Sequence, residues 1–309
     1  MTAKNKTPLA RELTLVRILD APRELVFKLW TEPHHLAQWW GPKGFTNPVC
    51  ELDAHMGGPI RVHMRAPDGT VYPMGGAIQE IVPPHRLVFT TTAYADSDGD
   101  PFLVNLNTVT FDDLAGKTKL TLHVRVIRAE ADAEDALAGM DQGWSESFER
   151  LLDLAATAAG SADRHIVATR LLDAPCVLVW KTWTDPKHVA PWWGPKGFTS
   201  TIQEMDVRPG GIWRLVMHGP DGTDYANKSV YVEVVEPQLL VYDHVSGPQF
   251  RFCATFIAEG DKTRVTVRML FPSAALRDKT AKAFGAIEGL SQTLERLANH
   301  LSASASAGR

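Results

Sequence analysis

The sequence predicts two tandem α+β domains, each a curved antiparallel sheet of about seven strands wrapped on a long C-terminal helix, with two short helices. Three observations support this fold class. One set of motifs occurs twice in the same order, several segments alternate apolar and polar residues, and each half closes with an amphipathic segment of helical period. A length of 309 residues also suits two domains.

The repeat is clearest in one segment near the start of each half. Trp39 to Phe45 reads Trp-Trp-Gly-Pro-Lys-Gly-Phe, and it recurs without substitution as Trp192 to Phe198. Further pairs share the same offset: Leu19 to Pro22 with Leu172 to Pro175, Gly57 and Gly58 with Gly210 and Gly211, and Pro67 to Thr70 with Pro220 to Thr223. The offset then shortens, which indicates an insertion in the first copy between Tyr94 and Pro101. We therefore predict domains at residues 1–160 and 161–309.

Each copy begins with a strand and a pair of short helices. The opening strands are predicted at 13–19 and 166–172. Asp-Ala-Pro then predicts a helix start, with Asp20 capping free backbone N–H groups and a proline tolerated in the first turn. The Thr-Glu-Pro at 31–33 ends this helix and starts a second one, which the Gly-Pro after the double tryptophan stops.

The remainder of each copy is typical of strands followed by one long helix. Ile60, Val62 and Met64 alternate with polar residues, and the Pro-Asp-Gly-Thr segments are strong hairpin turns. Further strands are predicted near 71–82, 85–94, 102–112 and 117–127, and single long helices over 133–157 and 274–301. Because such a helix covers one face of a curved sheet, we expect a cavity between the two.

Composition and charge argue against several function classes. A net charge of -4 without a basic stripe argues against nucleic-acid binding, and no run of about 18 apolar residues could span a membrane. The polar N-terminus lacks a signal-peptide core, and three widely spaced cysteines without a CxxC pair fit a reducing cytoplasm. No serine-nucleophile, phosphate-loop, dinucleotide or metal-ligand spacing occurs, so we expect no catalytic residue, no cofactor and no metal.

The order of these motifs resembles a known superfamily. The Asp-Ala-Pro helix start, the Trp-Trp-Gly-Pro segment, the Gly-Gly, the Pro-Asp-Gly hairpin and the closing helix with Gly143 and Trp144 resemble the SRPBCC superfamily of START-like, birch-pollen-allergen-like helix-grip domains. The likeness is closest to bacterial domains related to the C-terminal domain of the heat-shock-protein-90 ATPase activator. It covers nearly all of both halves and implies a helix-grip fold. Members include lipid carriers, aromatic polyketide cyclases, antibiotic-sequestering resistance proteins and co-chaperones.

The residues expected around the cavity are mostly aromatic. Adjacent tryptophans at a helix end cannot both point the same way, so one of each pair is expected in the core and the other near the cavity mouth or the surface. The candidates for ligand binding are Trp39, Trp40, Met64, Phe89, Phe111 and Trp144 in the first copy, and Trp192, Trp193, Trp213, Met217, Tyr225, Tyr242, His244 and Phe252 in the second. Plain core packing is the alternative for each of them. The two linings should differ, since Leu290 replaces Trp144 in the second copy.

These observations favour a binding protein over an enzyme. Each domain is expected to sequester or transport a small hydrophobic or aromatic metabolite in a bacterial cytoplasm, with a link to natural-product biosynthesis or resistance. One alternative is a cyclase or hydrolase that acts on an aromatic polyketide-like substrate through His244 or Tyr242. Another is a co-chaperone-like interaction module. The two domains are expected to pack on each other, and the oligomeric state is left open.

Overall fold

The computed structural model describes residues 11–95, 101–130 and 133–307. Within these ranges no helix is both long and apolar enough to cross a membrane. The chain divides into two compact units, Met1–Ala162 and Asp163–Arg309, called domain 1 and domain 2 below. The insertion expected between Tyr94 and Pro101 lies largely outside the described residues, which omit 96–100.

Domain 1 has one strand, two short helices, six further strands and a C-terminal helical segment. Its elements are β1 (Glu12–Leu19), α1 (Arg23–Thr31), α2 (Pro33–Trp39), β2 (Thr46–Leu52), β3 (Pro59–Arg65), β4 (Val71–Val82), β5 (Arg86–Ala95), β6 (Pro101–Leu114), β7 (Lys117–Ala129), α3 (Glu134–Ala138) and α4 (Met140–Ala158). The strands form one sheet in the order β1-β7-β6-β5-β4-β3-β2, with antiparallel neighbours throughout. The predicted α+β class is confirmed.

Domain 2 repeats this arrangement. Its elements are β8 (His165–Leu172), α5 (Cys176–Thr184), α6 (Pro186–Val189), β9 (Thr199–Met205), β10 (Ile212–His218), β11 (Asp224–Val235), β12 (Leu239–His244), β13 (Phe250–Glu259), β14 (Lys262–Leu270), α7 (Ala274–Phe284) and α8 (Ala286–Ala307). The sheet order, β8-β14-β13-β12-β11-β10-β9, matches that of domain 1 strand for strand. Hairpins join all consecutive strands from β9 to β14, so local turn signals account for most of this topology.

The core of each domain lies between one face of the sheet and the last helix. In β6 and β7 every second residue is buried, and α4 buries one stripe of its surface. Val109, Leu122 and Phe148 represent these three elements and are almost completely shielded from solvent. An antiparallel sheet needs one covered face, and the amphipathic helix provides the cover.

The C-terminal helix is not continuous in either domain, which corrects the expectation of single helices over 133–157 and 274–301. Gly139 separates α3 from α4, and Gly285 separates α7 from α8 in the left-handed conformation, with φ of +57°. Glycine is a poor residue for a helix interior and adopts positive φ without steric strain, so each break falls at a glycine. Both segments of each pair contribute residues to the cavities described below.

The expected cap at the first helix is also corrected. Pro22, not Asp20, occupies the N-cap position of α1, and no side chain caps it there. The carboxylate of Asp20 lies 3.1 Å from Lys117 Nζ instead, so it links the end of β1 to the start of β7. Asp185 does act as a cap, since its side chain accepts a hydrogen bond from the backbone N–H of Lys187 at the start of α6.

The cysteines lead to a first prediction. Burial raises the pKa of the Cys50 and Cys176 thiols to about 11, with Glu51 adding to the effect at Cys50. Since the ordinary value is 9.0 and each pKa step lowers the thiolate fraction tenfold, both should be alkylated by iodoacetamide at pH 8 about 100-fold more slowly than free cysteine. Peptide mass spectrometry measures each site, and urea unfolding should restore the ordinary rate. A fast native reaction at either site would contradict the burial argument.

Candidate functional site

Domain 1 encloses a cavity of about 500 Å³ between its sheet and its C-terminal helices. Its wall is mainly apolar, with Trp40, Met64 and Trp144 among the larger side chains. Trp40 and Trp144 meet edge to face with ring centroids 5.2 Å apart. Polar groups come from both sides, Thr91 and Asn105 from adjacent strands and Asp135 and Ser147 from the helices. An apolar cavity with a few polar groups is the usual form of a small-molecule site.

Domain 2 encloses a cavity of about 570 Å³ in the equivalent place. Seven residues predicted from the sequence line it: Trp193, Trp213, Met217, Tyr225, Tyr242, His244 and Phe252. The rings of Tyr242 and Phe252 are stacked, with centroids 4.5 Å apart and planes 7° from parallel. Burial raises the pKa of Tyr242 well above its ordinary value, so this hydroxyl stays protonated. The wall is more aromatic than that of domain 1.

Each tryptophan pair divides its members between core and cavity. Trp39 is fully buried, and its Nε1 donates a hydrogen bond to the Leu29 carbonyl at 2.9 Å, whereas Trp40 lines the cavity. In domain 2 the Nε1 of Trp192 donates to the Thr182 carbonyl at 3.3 Å, and Trp193 lines the cavity. The first tryptophan of each pair therefore anchors the short helices and is not a cavity residue.

Two further predicted residues of domain 1 also lie beneath the cavity wall. Phe89 packs against Trp30 and Trp40, and Phe111 packs edge to face against Phe27. Both are almost fully buried, and neither lines the cavity. For Phe89 and Phe111 the alternative given for each candidate, plain core packing, therefore applies. Of the candidates in domain 1, the structure brings Trp40, Met64 and Trp144 together at the cavity.

An arginine on the last helix holds the Trp-Trp-Gly-Pro segment in each domain. Arg150 donates hydrogen bonds to four backbone carbonyls at 2.8–3.1 Å, those of Gln38, Trp40, Gly41 and Pro42. Arg150 belongs to a Glu-Arg-Leu triplet, residues 149–151, that recurs at residues 295–297, so the arginine is repeated together with the segment. Its guanidinium satisfies carbonyls at the end of α2 and just after it, and fixes the second tryptophan at the cavity. Burial lowers the pKa of Arg150.

The same contact occurs in domain 2. Arg296 donates to the carbonyls of Pro191, Gly194 and Pro195 at 2.8–2.9 Å. One turn earlier in the helix, Gln292 accepts a hydrogen bond from the backbone N–H of Lys196 at 3.0 Å. The sequence interpretation did not assign a role to either arginine, although both lie in repeated triplets.

His244 is buried, and both of its ring nitrogens are engaged. Nδ1 lies 2.7 Å from the Pro248 carbonyl, and Nε2 lies 2.8 Å from Asn227 Oδ1 and 3.1 Å from Ser246 Oγ. The ring stacks on Phe250 with centroids 4.6 Å apart. Burial lowers the pKa of His244, although its hydrogen bonds to Pro248 and Ser246 act in the opposite direction. In this arrangement neither nitrogen is free to face a substrate, as a general base must be.

One surface group in domain 1 could hold a divalent metal ion. Glu32 Oε2 lies 3.7 Å from His34 Nε2 and 3.5 Å from His35 Nε2, and the three ligand atoms all lie within 4.8 Å of one another. The sequence spacing gave no indication of this group. In domain 2 Lys187 replaces His34, and its ammonium would repel a metal ion, so the two copies do not share such a site.

Two buried polar residues of β6, of which only Asn105 lines the cavity, were missed by the sequence interpretation. Asn105 and Asn107 are buried on the inner face of β6, in register with Val109 and Phe111. The period-two alternation, extended backwards from Phe111, places both asparagines on the inner face. Apolar Val104 and Leu106, on either side of Asn105, favour the opposite assignment of faces.

Comparison with protein-family models agrees with the duplication. The model of the family described as Activator of Hsp90 ATPase homolog 1-like protein matches twice, at residues 20–156 and 173–302. A crystal structure of a Chromobacterium violaceum protein is 30% identical, over 47% of this chain and 96% of that one, with a TM-score of 0.40. The crystal structure of the AHSA1 protein from Silicibacter pomeroyi is 25% identical, over 48% of this chain and 99% of that one, with a TM-score of 0.41.

A third similar structure, determined by NMR, is of a protein from Arthrobacter aurescens. It is 27% identical, over 50% of this chain and 90% of that one, with a TM-score of 0.43. Each of these three matches spans about half of this chain and nearly all of the other. No curated protein gives a significant match.

Proposed function

Because this chain belongs to the Activator of Hsp90 ATPase homolog 1-like family, with two family domains in tandem, we propose that each domain binds a small hydrophobic or aromatic metabolite. The ligand lies in the cavity between the sheet and the C-terminal helices. The protein thus sequesters or carries two such molecules per chain. We further propose a bacterial cytoplasm and a link to natural-product biosynthesis or resistance. Three cysteines that form no disulfide bond, as is typical of a reducing compartment, support that location.

The observation that carries this proposal is an apolar cavity of ligand size in each domain. Volumes of about 500 and 570 Å³ fall within the range of small-molecule pockets, roughly 300–1,000 Å³. Aromatic and methionine side chains form much of both walls. Cavities of this size would be filled by side chains in a domain whose function needed only a packed core.

Turnover has less support than binding. The polar group that the sequence offered for acid–base chemistry, His244, has both nitrogens committed to hydrogen bonds inside domain 2. Its position in domain 1 is taken by Thr91, which does not titrate. A cyclase or hydrolase would therefore have to use different groups in the two domains.

Blocking one cavity at a time tests the proposal. The neutral dye N-phenyl-1-naphthylamine, which fluoresces in apolar surroundings, should bind with a stoichiometry of two per chain. Ala136→Phe and Ala286→Phe each place a ring into one cavity, since both alanines are half-buried in the walls. Each variant should bind one dye molecule, and the double variant none, measured by fluorescence titration and native mass spectrometry.

A matched control makes the same alanine-to-phenylalanine substitution at an exposed position outside both cavities. Ala54→Phe adds the same ring on an exposed residue outside both cavities, and it should leave the stoichiometry at two. Retention of both dye molecules by the folded double variant would show that the dye binds elsewhere and would remove the cavities as ligand sites.

A further inference from the structure

Two buried asparagines of β6, of which Asn105 lines the domain 1 cavity, have side-chain oxygens without hydrogen-bond partners among the described residues. Asn107 is fully buried, and Asn105, which lines the cavity, is only 9% exposed. The Oδ1 atom of each is buried and has no hydrogen-bond partner among the described residues. Nearly all buried polar atoms in proteins are paired with protein, water or ligand. Asn105 lines the cavity and Asn107 does not, so the acceptor that a ligand can pair is Asn105 Oδ1.

A hydroxyl group stands beside these acceptors. Thr91 on β5 is the register partner of Asn105 on β6, and both line the cavity. The Oγ1 of Thr91 accepts a hydrogen bond of 3.1 Å from Asn107 Nδ2. Asn107 thus fixes the Thr91 oxygen, and the Thr91 hydroxyl proton stays available for a second acceptor. The cavity wall offers an acceptor without a donor next to a hydroxyl that can donate.

The matching place in domain 2 carries different polar groups. The register pairs there are Tyr242 with Phe252 and His244 with Phe250, and both pairs are ring stacks with planes 7° and 9° from parallel. The nitrogens of His244 are engaged within the domain. Among these four residues, which all line the cavity, Tyr242 carries a hydroxyl that can donate as well as accept, so it suits ligands with or without a hydroxyl of their own.

The correspondence between the two walls follows from the repeat. Phe250 precedes Phe256 by the same number of residues as Asn105 precedes Phe111, and the two phenylalanines are matched positions of the copies. The difference between asparagine and phenylalanine is thus a substitution at one structural position. It changes the chemistry of a cavity whose backbone is shared.

We propose that the domain 1 cavity selects an aromatic ligand that carries a hydroxyl group, a phenol in the simplest case, and that the domain 2 cavity does not require one. The ligand hydroxyl donates to Asn105 Oδ1 and accepts from the Thr91 hydroxyl, because one hydroxyl performs both roles. Its ring lies against Trp40 and Trp144. This inference rests on the proposed function, since it presumes that each cavity holds a ligand.

The test compares 2-naphthol with 2-methoxynaphthalene, whose ether oxygen accepts a hydrogen bond but cannot donate one. Full-length chain with Ala286→Phe reports on domain 1, and full-length chain with Ala136→Phe reports on domain 2. The ether is more hydrophobic than 2-naphthol, and the ratio of the two affinities in domain 2 measures the effect of that difference alone. Relative to domain 2, domain 1 should prefer 2-naphthol about tenfold, the effect of one good hydrogen bond. Isothermal titration calorimetry measures both dissociation constants.

Variants of the wall assign the preference to its residues. Asn105→Leu should reduce the preference of domain 1 to that of domain 2 by weakening 2-naphthol alone, with 2-methoxynaphthalene unchanged. Thr91→Val is nearly isosteric and removes the donor from which the oxygen of either probe accepts, so it should weaken both probes by a similar factor and leave the preference in place. Equal preferences in the two domains, a preference that survives in folded Asn105→Leu, or unchanged affinity for both probes in folded Thr91→Val would overturn the inference while leaving cavity binding intact. Binding of neither probe, nor of the naphthylamine dye, would reject the proposed function itself.

Discussion

Trp30→Ala is expected to lower the free energy of unfolding of domain 1 by about 3–5 kcal/mol, the range typical of a buried tryptophan replaced by alanine. Trp30 is 1% exposed. Its ring centroid lies 4.6–6.4 Å from those of six other aromatic side chains: Trp39, Trp40, Phe89, Phe111, Trp144 and Phe148. The truncation therefore removes the centre of a cluster that includes two cavity residues, and the cavity wall should collapse with it.

Two comparisons sharpen this prediction. Trp30→Phe should cost much less, because it keeps most of the ring area and removes an indole N–H that is buried without a partner in the described structure. Trp183→Ala is the matched change in domain 2, where four aromatic rings surround the indole. Hydrogen exchange by mass spectrometry reads the two domains separately. A loss below about 1 kcal/mol for Trp30→Ala would contradict the central role of this ring.

Arg150→Met is expected to destabilise domain 1 by about 3 kcal/mol and to weaken dye binding in its cavity. The substitution keeps much of the apolar stem but leaves four backbone carbonyls without their donor. Arg150→Lys should recover only part of the loss, since a single ammonium cannot reach all of these carbonyls in the geometry of a planar guanidinium. Trp40, no longer held through its own carbonyl, should lose its fixed position at the cavity.

Arg125→Met provides the control for loss of charge, because Arg125 is exposed on β7 of the same domain. It should leave both stability and dye binding nearly unchanged. Arg296→Met should lower the stability and dye affinity of domain 2 and leave domain 1 unchanged, because this arginine donates to three backbone carbonyls in domain 2. Chemical denaturation monitored by hydrogen exchange measures the stability of each domain, and dye titration of the folded variants measures binding. Full retention of dye affinity in folded Arg150→Met would show that the segment keeps its shape without the arginine.

The site was only partly predictable from the sequence. An alternating pattern assigns faces of a strand, so Met64, Trp213 and Met217 could be placed towards the helix, and all three line a cavity. The same pattern could not separate Phe111 in the core from Met64 at the cavity. That distinction depends on the distance from the helix at each point of a curved sheet.

The break in each C-terminal helix was missed for a different reason. Amphipathic spacing continues across Gly139 and Gly285, so periodicity alone favours one long helix. A glycine within a helical pattern lowers helix stability without specifying whether the helix ends. Packing of the shorter segments over the cavity decided the outcome.

The sequence by itself determined the duplication, the order of strands and helices and the α+β class, because these follow from repeats, from periods of two and 3.6 residues and from turn chemistry acting over a few positions. Only the tertiary structure decided which tryptophan of each pair meets the cavity, that Arg150 holds a segment 109 residues before it, and that Asn105 keeps an unpaired oxygen at the cavity wall. Those features depend on contacts between segments distant in the chain, where burial and the count of available hydrogen-bond partners are settled by packing.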